Sequence, residues 1–506
     1  MEKITELERL LETLHYIDVE GQTKISIRGL ECRSEKVKPG YIFFCLEGGR
    51  ADGHDFIPQA IEAGAVAVVL EKEREVQGAS KILVPNVRMA MAVMAELFWG
   101  SPSQELCLIG VTGTNGKTTT THLIEAALRD QSYRTALLGT IKYRIGDEIL
   151  PVLATTPEAV DLQKILYHMV QKRVEYAVME VSSHALELNR VSGCDFDIAV
   201  YTNITEDHLD FHKNFERYRA AKGKLFSQQG GSVLKGNAPR FAVLNRDDRH
   251  YNFFLRQTTV QAVSYGIEKK ADVQAENIYI SGHGVSYLLR TPWGTENFSL
   301  KLTGKFSVYN ALAATTVALL KGVPISAIKN SLESVGGISG RFERVDVGQD
   351  FLVIIDYAHT PDGLENILQA AKHFVEGNII TIFGCGGERD KGKRPVMGRI
   401  AGKYSNYCII TSDNPRGEDP GRIIEEIEIG LRENKDFGSG YAVQSDRFEA
   451  IKLGIELARS GDMVIIAGKG HESYQVFSDC TIPFNDREIA AELLAKRIQS
   501  KTREKS

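Results

Sequence analysis

The segment Leu106–Leu128 constrains this chain more than any other. Leu106-Cys-Leu-Ile-Gly-Val111 has the unbroken apolar character of a strand covered on both faces. It runs into Thr112-Gly113-Thr114-Asn115-Gly116-Lys117-Thr118, and a helical pattern follows through about Leu128. Strand, glycine-rich turn, Lys-Thr pair and helix start together describe a phosphate-binding loop. Glycines let backbone N–H groups crowd round phosphate oxygens, and the helix N-terminus adds partial positive charge. In such a loop Lys117 bridges the terminal phosphates and Thr118 ligates Mg²⁺. The spacing departs from the strict G-x-x-x-x-G-K-[ST] form, which requires Gly where this chain has Val111. Nucleotide use is the firmest reading of the residues; a motor, a kinase and a ligase all stay open at this point.

The rest of the chain repeats the alternation of short apolar runs with helical patterns. Phe351–Ile355, Ile379–Phe383, Tyr407–Thr411 and Met463–Ala467 read as buried strands, with helices over Gly363–Phe374 and Phe448–Ala458. That alternation predicts βαβ units and mainly parallel sheets, with ligands beyond the carboxyl ends of the strands. Asp272–Thr303 instead alternates polar and apolar residues and carries the turn Ser281-Gly282-His283-Gly284, which predicts appended antiparallel hairpins. Met1–Gly21 reads as a polar-faced helix without signal-peptide character.

At roughly 150 residues per domain, 506 residues suggest about three domains. The small-residue junctions Gly100–Ser103 and Gly336–Gly340 divide the chain into 1–101, 102–337 and 338–506. The fold class expected is α/β: a small N-terminal α/β domain, a central P-loop domain with a parallel sheet plus a hairpin region, and a C-terminal Rossmann-like domain. A net charge of -5 argues against a chain that binds nucleic acid over its whole surface. No apolar run approaches the roughly 18 residues of a membrane span. Seven scattered cysteines with no C-x-x-C pair fit buried thiols in a reducing cytoplasm.

Two more strand ends carry chemistry. Tyr176–Glu180 ends on a carboxylate and leads into Ser182-Ser183-His184; Ile198–Thr202 leads into Asn203 and on to His208 and His212. A carboxylate and an imidazole on the rim of the phosphate loop suit Mg²⁺. His208 and His212, four apart, would also share a helix face as zinc ligands do. Phosphate chemistry favours Mg²⁺, because that hard ion bridges phosphate oxygens and keeps water ligands.

With these motifs in hand the chain resembles the Mur ligase family. The carrying residues are Gly113–Thr118, Glu180–His184, Thr202–His208, Asn310–Ala314, Gly340–Glu343 and Asp356–Asp362, in family order along nearly the whole chain. Asp413-Asn414-Pro415-Arg416 and Gly384–Pro395 are most similar to the members that add diaminopimelate as the third amino acid. The resemblance implies a cytoplasmic, ATP-dependent amide-bond ligase of peptidoglycan precursor synthesis. Its partners would be UDP-N-acetylmuramoyl-L-alanyl-D-glutamate and meso-diaminopimelate, with two Mg²⁺ ions, and a monomer is expected. The weighed alternatives are a related ligase adding lysine or another residue, a folylpolyglutamate-synthase-like ligase, a non-catalytic nucleotide-gated relative and a zinc hydrolase.

The same resemblance implies the site. Lys117, Lys222, Glu180 and His208 would be catalytic, with Thr118, Glu180, His208 and Lys222, the last as a carbamate, serving the ions. The residues alone would read Lys222 as a solvated helix lysine. Gly113, Thr114, Asn115, Gly116, Lys117, Thr118, Thr119, Asn310, Arg341 and Asp356 would hold ATP. Ser34, Gly49, Arg50, Ala51, Thr155, Thr156, Ser182 and Arg190 would hold the UDP-sugar. Arg389, Asp413, Asn414, Pro415, Arg416, Gly468 and Glu472 would hold diaminopimelate: the arginines on its distal carboxylate, Asp413 and Asn414 on its ammonium end. One motif is altered. Arg33-Ser34-Glu35 stands where the family has Asp-Ser-Arg, so both flanking charges are reversed around Ser34.

Overall fold

Three sheets, each fed by the apolar runs of its own stretch of chain, organise the computed structural model, which describes residues 3–48, 51–229, 239–433 and 440–504. The first orders Asp18–Glu20, Ser80–Leu83, Ala65–Leu70, Tyr41–Phe44 and Gly29–Glu31, parallel except for its first strand. The third orders Glu343–Arg344, Leu352–Asp356, Met463–Ala467, Ile379–Phe383, Tyr407–Ile410 and Tyr441–Val443, again parallel beyond the short first strand.

The middle sheet has eleven strands. Its core is parallel: Thr135–Leu138, Tyr176–Glu180, Cys107–Thr112, Ile198–Tyr201, Phe241–Asn245 and Gln261–Gly266. Val273–Ser281, Gly284–Thr291 and Gly294–Leu300 extend it as an antiparallel meander, the hairpins that polar–apolar alternation predicts. The helix Lys305–Leu320 closes one face. Ser307, Val308 and ten of the residues from Asn310 to Leu319 are buried on it, so it runs through the core instead of lying on a surface.

The strands Cys107–Thr112, Tyr176–Glu180, Ile198–Tyr201, Leu352–Asp356, Ile379–Phe383, Tyr407–Ile410 and Met463–Ala467 and the helices Lys117–Arg129, Pro361–Lys372 and Arg447–Leu457 lie within two residues of their sequence-based bounds. The N-terminus does not. Among the described residues before Gly21 only Leu7–Leu11 is helical, between strands Thr5–Glu6 and Asp18–Glu20. Leu7, Leu10 and Leu11 bury one face of a single turn. Beyond them Asp18–Glu20 finds backbone partners along Ser80–Leu83, and sheet pairing wins over local helical preference.

In the third sheet a fully buried ion pair ties strand ends together. Arg447 sends Nε and Nη2 to Asp486 Oδ1 and Oδ2, both at 2.7 Å, and neither side chain is exposed. The same guanidinium donates to the carbonyls of Ser412 at 3.3 Å and Ala467 at 3.1 Å, at or just beyond the ends of two strands that flank Ile379–Phe383. Asp486→Ala strands this guanidinium without a counter-charge. It is expected to cost about 3–5 kcal/mol locally, read as loss of amide hydrogen-exchange protection in Met463–Ala467 and Tyr407–Ile410; unchanged protection there would contradict the assignment.

Candidate active site

Register sets the site. Val111 lies opposite Glu180, and Thr112 opposite Tyr201, so three strands end on one rim. The turn after Thr112 is clamped by the neighbouring loop. Thr114 N donates to Asn203 O at 2.8 Å, Asn115 N to Asn203 Oδ1 at 3.0 Å, and Thr202 Oγ1 to Asn115 O at 2.6 Å. Gly113 adopts φ 152 and Gly116 φ 84, and a Cβ on either would collide with Thr202 Oγ1 or Asn310 Oδ1. Glycine is therefore required at both positions by space as well as by backbone angle. Lys117 opens the following helix, and its ammonium donates to the carbonyls of Gly113 and Thr114, both at 2.9 Å.

Beside the turn lies a cluster of nitrogens. Lys222, buried on the helix Phe215–Ser227, donates to Gly113 O at 2.7 Å and lies over the Tyr218 ring at 4.7 Å. Burial first, and the Lys117 charge second, hold its pKa well below the usual lysine value, against the pull of Asp207. Tyr218 in turn shares a hydrogen bond with Thr114 Oγ1 at 2.9 Å. His208 takes φ 55 and sits 3.3 Å from Asp207 Oδ2. Burial pushes its imidazole down to about 3 despite Asp207, so the ring is neutral near pH 7, the form that binds metal.

Glu180 is buried, and both carboxylate oxygens are oriented by one residue: Thr140 N donates to Oε1 at 2.9 Å and Thr140 Oγ1 to Oε2 at 3.1 Å. Each oxygen keeps a second lone pair. His212 does not join His208 in a metal-binding pair; its Nε2 lies 3.0 Å from Ser183 Oγ, which braces the loop after Glu180. Among the described residues no three His, Cys, Asp or Glu side chains converge on one point. That is a poor cage for zinc. It suits a hard ion that takes one carboxylate, a threonine hydroxyl and phosphate oxygens.

A cleft of about 990 Å³ joins Lys117, Glu180 and His208 to the third sheet, while Lys222 lies behind Gly113 and is not part of its lining. Thr114–Thr119, Thr140, Thr155, Glu180, Ser182, His208, Asn310, Arg341 and Asp356 all line it. Asn310 lies inside the helix Lys305–Leu320, not at its start, so it is no cap; its Oδ1 accepts from Thr120 Oγ1 at 3.3 Å. Arg341 reaches across to Thr118 Oγ1 at 3.0 Å with its guanidinium 4.6 Å from the Tyr357 ring centroid. Asp356 ends its strand and accepts from Phe342 N and Ala358 N, both at 2.7 Å.

The sugar-side residues divide. Thr155 Oγ1 meets Thr140 Oγ1 at 3.1 Å on the cleft wall. Thr156 is buried, and its hydroxyl is spent on Glu180 O and Ser182 N. Ser182 caps the helix Ser183–Glu187, and Arg190 holds Thr156 O and Glu158. In the altered motif Ser34 Oγ donates to Gln59 Oε1 at 2.8 Å, and Arg33 pairs with Glu31 and, on the helix Ala159–Gln171, with Asp161 at 3.0 Å. Ala51 is exposed and stands away from the cleft; Gly49 and Arg50 lie outside the described residues.

The amino-acid residues form a second group at the ends of the third sheet's strands, away from the cleft lining. Arg416 adopts φ 52 and spends Nη1 on Gly387 O at 2.8 Å; Arg389 is exposed and donates to Glu388 O. Neither has a carboxylate partner among the described residues. Gly468, at φ 114, brings backbone close to Asp413 Oδ2, which is buried and without a hydrogen-bond partner. Asn414 Nδ2 donates to Glu472 Oε2 at 2.9 Å. Sequence reasoning passed over Thr140, Tyr218, Lys469 and Asp362, whose carboxylate accepts from Asn115 Nδ2 at 2.5 Å. Asp362 ends the Asp356–Asp362 motif and Lys469 directly follows Gly468; Thr140 and Tyr218 carry no local signal.

Comparison with known proteins agrees along the whole chain. Family models match as "Mur ligase family, catalytic domain" over 26–99, "Mur ligase middle domain" over 111–318 and "Mur ligase, glutamate ligase domain" over 340–470. A UDP-N-acetylmuramoyl-L-alanyl-D-glutamate–2,6-diaminopimelate ligase of Bacillus cereus is 45% identical over 494 residues, 98% of this chain and 99% of its own. One of Halalkalibacterium halodurans is 47% identical over 494 residues, 98% of this chain and 100% of its own. A solved structure of a ligase with that name is 33% identical with a TM-score of 0.67, covering 97% of this chain and 99% of its own. The chain belongs to the Mur ligase family.

Proposed function

We propose that this protein joins meso-diaminopimelate to UDP-N-acetylmuramoyl-L-alanyl-D-glutamate at the expense of ATP, in the cytoplasm, as a step of peptidoglycan precursor synthesis. What carries the reading is similarity to ligases of that name over nearly the full length, together with Arg416 and Arg389, which have no carboxylate partner among the described residues. The stretch 1–101 takes the uridine end, 102–337 takes ATP and the reacting carboxylate, and 338–506 takes the amino acid.

A carboxylate is a poor electrophile and repels the γ-phosphate it must attack. Attack of the D-Glu γ-carboxylate oxygen on the γ-phosphorus breaks the bond to ADP and leaves an acyl phosphate. The amine of diaminopimelate, having shed a proton, adds to the acyl carbon. The tetrahedral intermediate expels phosphate and leaves the amide. Lys117, Thr114–Thr119 and Arg341 would grip the phosphates, with Asn310 and Asp356 on the nucleoside side. Thr118, Glu180, His208 and Lys222 as its carbamate would hold two Mg²⁺ ions, which supply positive charge where phosphate and carboxylate meet. Low solvation keeps that charge effective. The lowered basicity of Lys222 favours its free amine, and free amine plus CO₂ gives carbamate and a proton.

Discrimination against lysine rests on Arg416 and Arg389. A charge-assisted Arg–carboxylate contact is worth about 1.5–3 kcal/mol, and lysine leaves a partly buried guanidinium unpaired. The expected preference in kcat/KM for diaminopimelate over lysine is roughly a thousandfold, measured by phosphate release with each amino acid; equal values would refute the substrate assignment. Arg416→Ala is expected to raise KM for diaminopimelate roughly tenfold to a hundredfold with KM for ATP unchanged.

Lys222→Ala is expected to lower kcat by roughly a hundredfold or more. In ¹³C-labelled bicarbonate the native protein should show a carbamate carbon resonance that this variant lacks. A fully active variant, or a native protein without the resonance, would sink the assignment.

A further inference from the structure

The reaction outlined above leaves one proton without a destination. When the amine adds to the acyl carbon its nitrogen becomes a cation, and that nitrogen must lose a proton before the amide is stable. The acceptor has to lie where the phosphate rim faces the third sheet. It also has to be a base in a cleft rich in donors: the loop N–H groups, Lys117, Arg341 and the threonine hydroxyls.

His359 meets both demands. It lies between the strand Leu352–Asp356 and the helix Pro361–Lys372, and it lines the cleft. Lys393 Nζ donates to its carbonyl at 2.9 Å from the side of the third sheet, and the charge of Asp207, next to His208, acts on its ring from the side of the middle sheet. His359 Nδ1 lies 2.7 Å from Tyr357 O, an atom that only accepts, so Nδ1 carries a hydrogen. Burial first, and the Lys393 charge second, push the ring's pKa down to about 4, against the pull of Asp207 and the Tyr357 carbonyl. A ring that is neutral near pH 7 and protonated at Nδ1 has a bare lone pair at Nε2.

Nε2 has no hydrogen-bond partner among the described residues. Asp207, Asp356 and Asp362 also line the cleft, but each already accepts at least one hydrogen bond, from His208 N, Phe342 N and Asn115 Nδ2 respectively. A bare lone pair repels phosphate oxygens, so gripping ATP does not account for this nitrogen. It suits an N–H.

We propose that His359 is the general base of the amine step: Nε2 takes the proton that nitrogen loses as the N–C bond forms. The nitrogen lone pair makes the new bond, and the electron pair of the C–O bond leaves with phosphate. The ring returns its proton to the departing phosphate oxygen and ends neutral as it began. The negative charge that ATP brings into the cleft raises the ring's affinity for a proton, towards the range where such transfer is efficient. This rests on the reaction proposed above and adds a residue to its second half only.

The test follows single turnovers of the full-length protein with ATP, UDP-N-acetylmuramoyl-L-alanyl-D-glutamate and diaminopimelate, reading ADP and amide separately by rapid quench. His359→Asn keeps a donor for Tyr357 O and lacks the second nitrogen. It is expected to form ADP within about threefold of the native rate and amide roughly a hundredfold more slowly. KM for diaminopimelate should stay within about threefold, which a displaced amino-acid pocket would not allow. The acyl phosphate that accumulates should be trapped as hydroxamate by hydroxylamine, whose adduct is acidic enough to lose its proton to water. A variant that slows ADP and amide alike makes His359 a phosphate or ion ligand and overturns the inference. So does one that keeps the native amide rate, or yields no hydroxamate. Should His359→Asn fail to fold, His359→Gln decides by the same readings. Native protein that forms no amide overturns the proposed reaction itself, whereas native amide formation with both steps slowed alike in the variant overturns this inference alone.

Discussion

The site depends on one steric constraint: nothing larger than hydrogen fits at Gly113. The turn there is pressed against Thr202 of the neighbouring strand end, and that contact draws the phosphate loop, Glu180 and the loop to His208 onto one rim. The loop is held by backbone and side-chain bonds from Thr202 and Asn203 before any ligand arrives. Pre-formed donors cost no reorganisation when charge develops on phosphate oxygens, which is where electrostatic catalysis gains most.

That geometry crowds cations. Gly113 O accepts from Lys117 and from Lys222, so one carbonyl serves two amines in a water-poor space. Two ammonium groups so close repel, and burial lowers both from the ordinary lysine value. Lys222 has the Lys117 charge and the Tyr218 ring beside it, with Asp207 opposing. As the carbamate proposed above it would become an anion, and the repulsive pair would become an attractive one. The protein thus stores a charge imbalance that an anionic substrate and divalent ions relieve.

The strands and helices around this rim were legible because burial on both faces leaves unbroken apolar runs and because glycine-rich turns mark their ends. Ile379–Phe383 and Met463–Ala467 could be read to the residue. The N-terminal segment could not, because an edge strand such as Asp18–Glu20 owes its form to a partner sixty residues away. The P-loop residues were legible from local spacing, whereas Lys222 was not: an Ala-Ala-Lys-Gly-Lys helix looks solvated until the fold buries it. Thr140 and Tyr218 were invisible for a similar reason. A threonine after a strand has no local mark of its meeting both oxygens of a carboxylate forty residues on. Thr156 erred the other way, since its hydroxyl is consumed by backbone groups and serves the loop.

Amide formation across two sheets sets a further demand. In the proposed reaction the acyl phosphate would form over the middle sheet and the amine would be held by loops of the third, and a reactive phosphoric anhydride must not meet water first. The third region touches the phosphate loop through single side chains: Arg341 on Thr118 Oγ1 and Asp362 on Asn115 Nδ2. Asp362 is a carboxylate largely shielded from water, raised in pKa by burial and countered by its hydrogen bond to Asn115. Arg341 is likewise half-used, with Nε buried and unpartnered beside the nucleotide cleft. Beside these polar contacts the Phe306 and Phe342 rings meet across the same junction, with centroids 6.1 Å apart. These contacts specify where the amino-acid loops sit relative to the phosphates without welding the two regions together. A ligase that must admit three substrates and release three products needs that combination, which a large apolar interface would deny it.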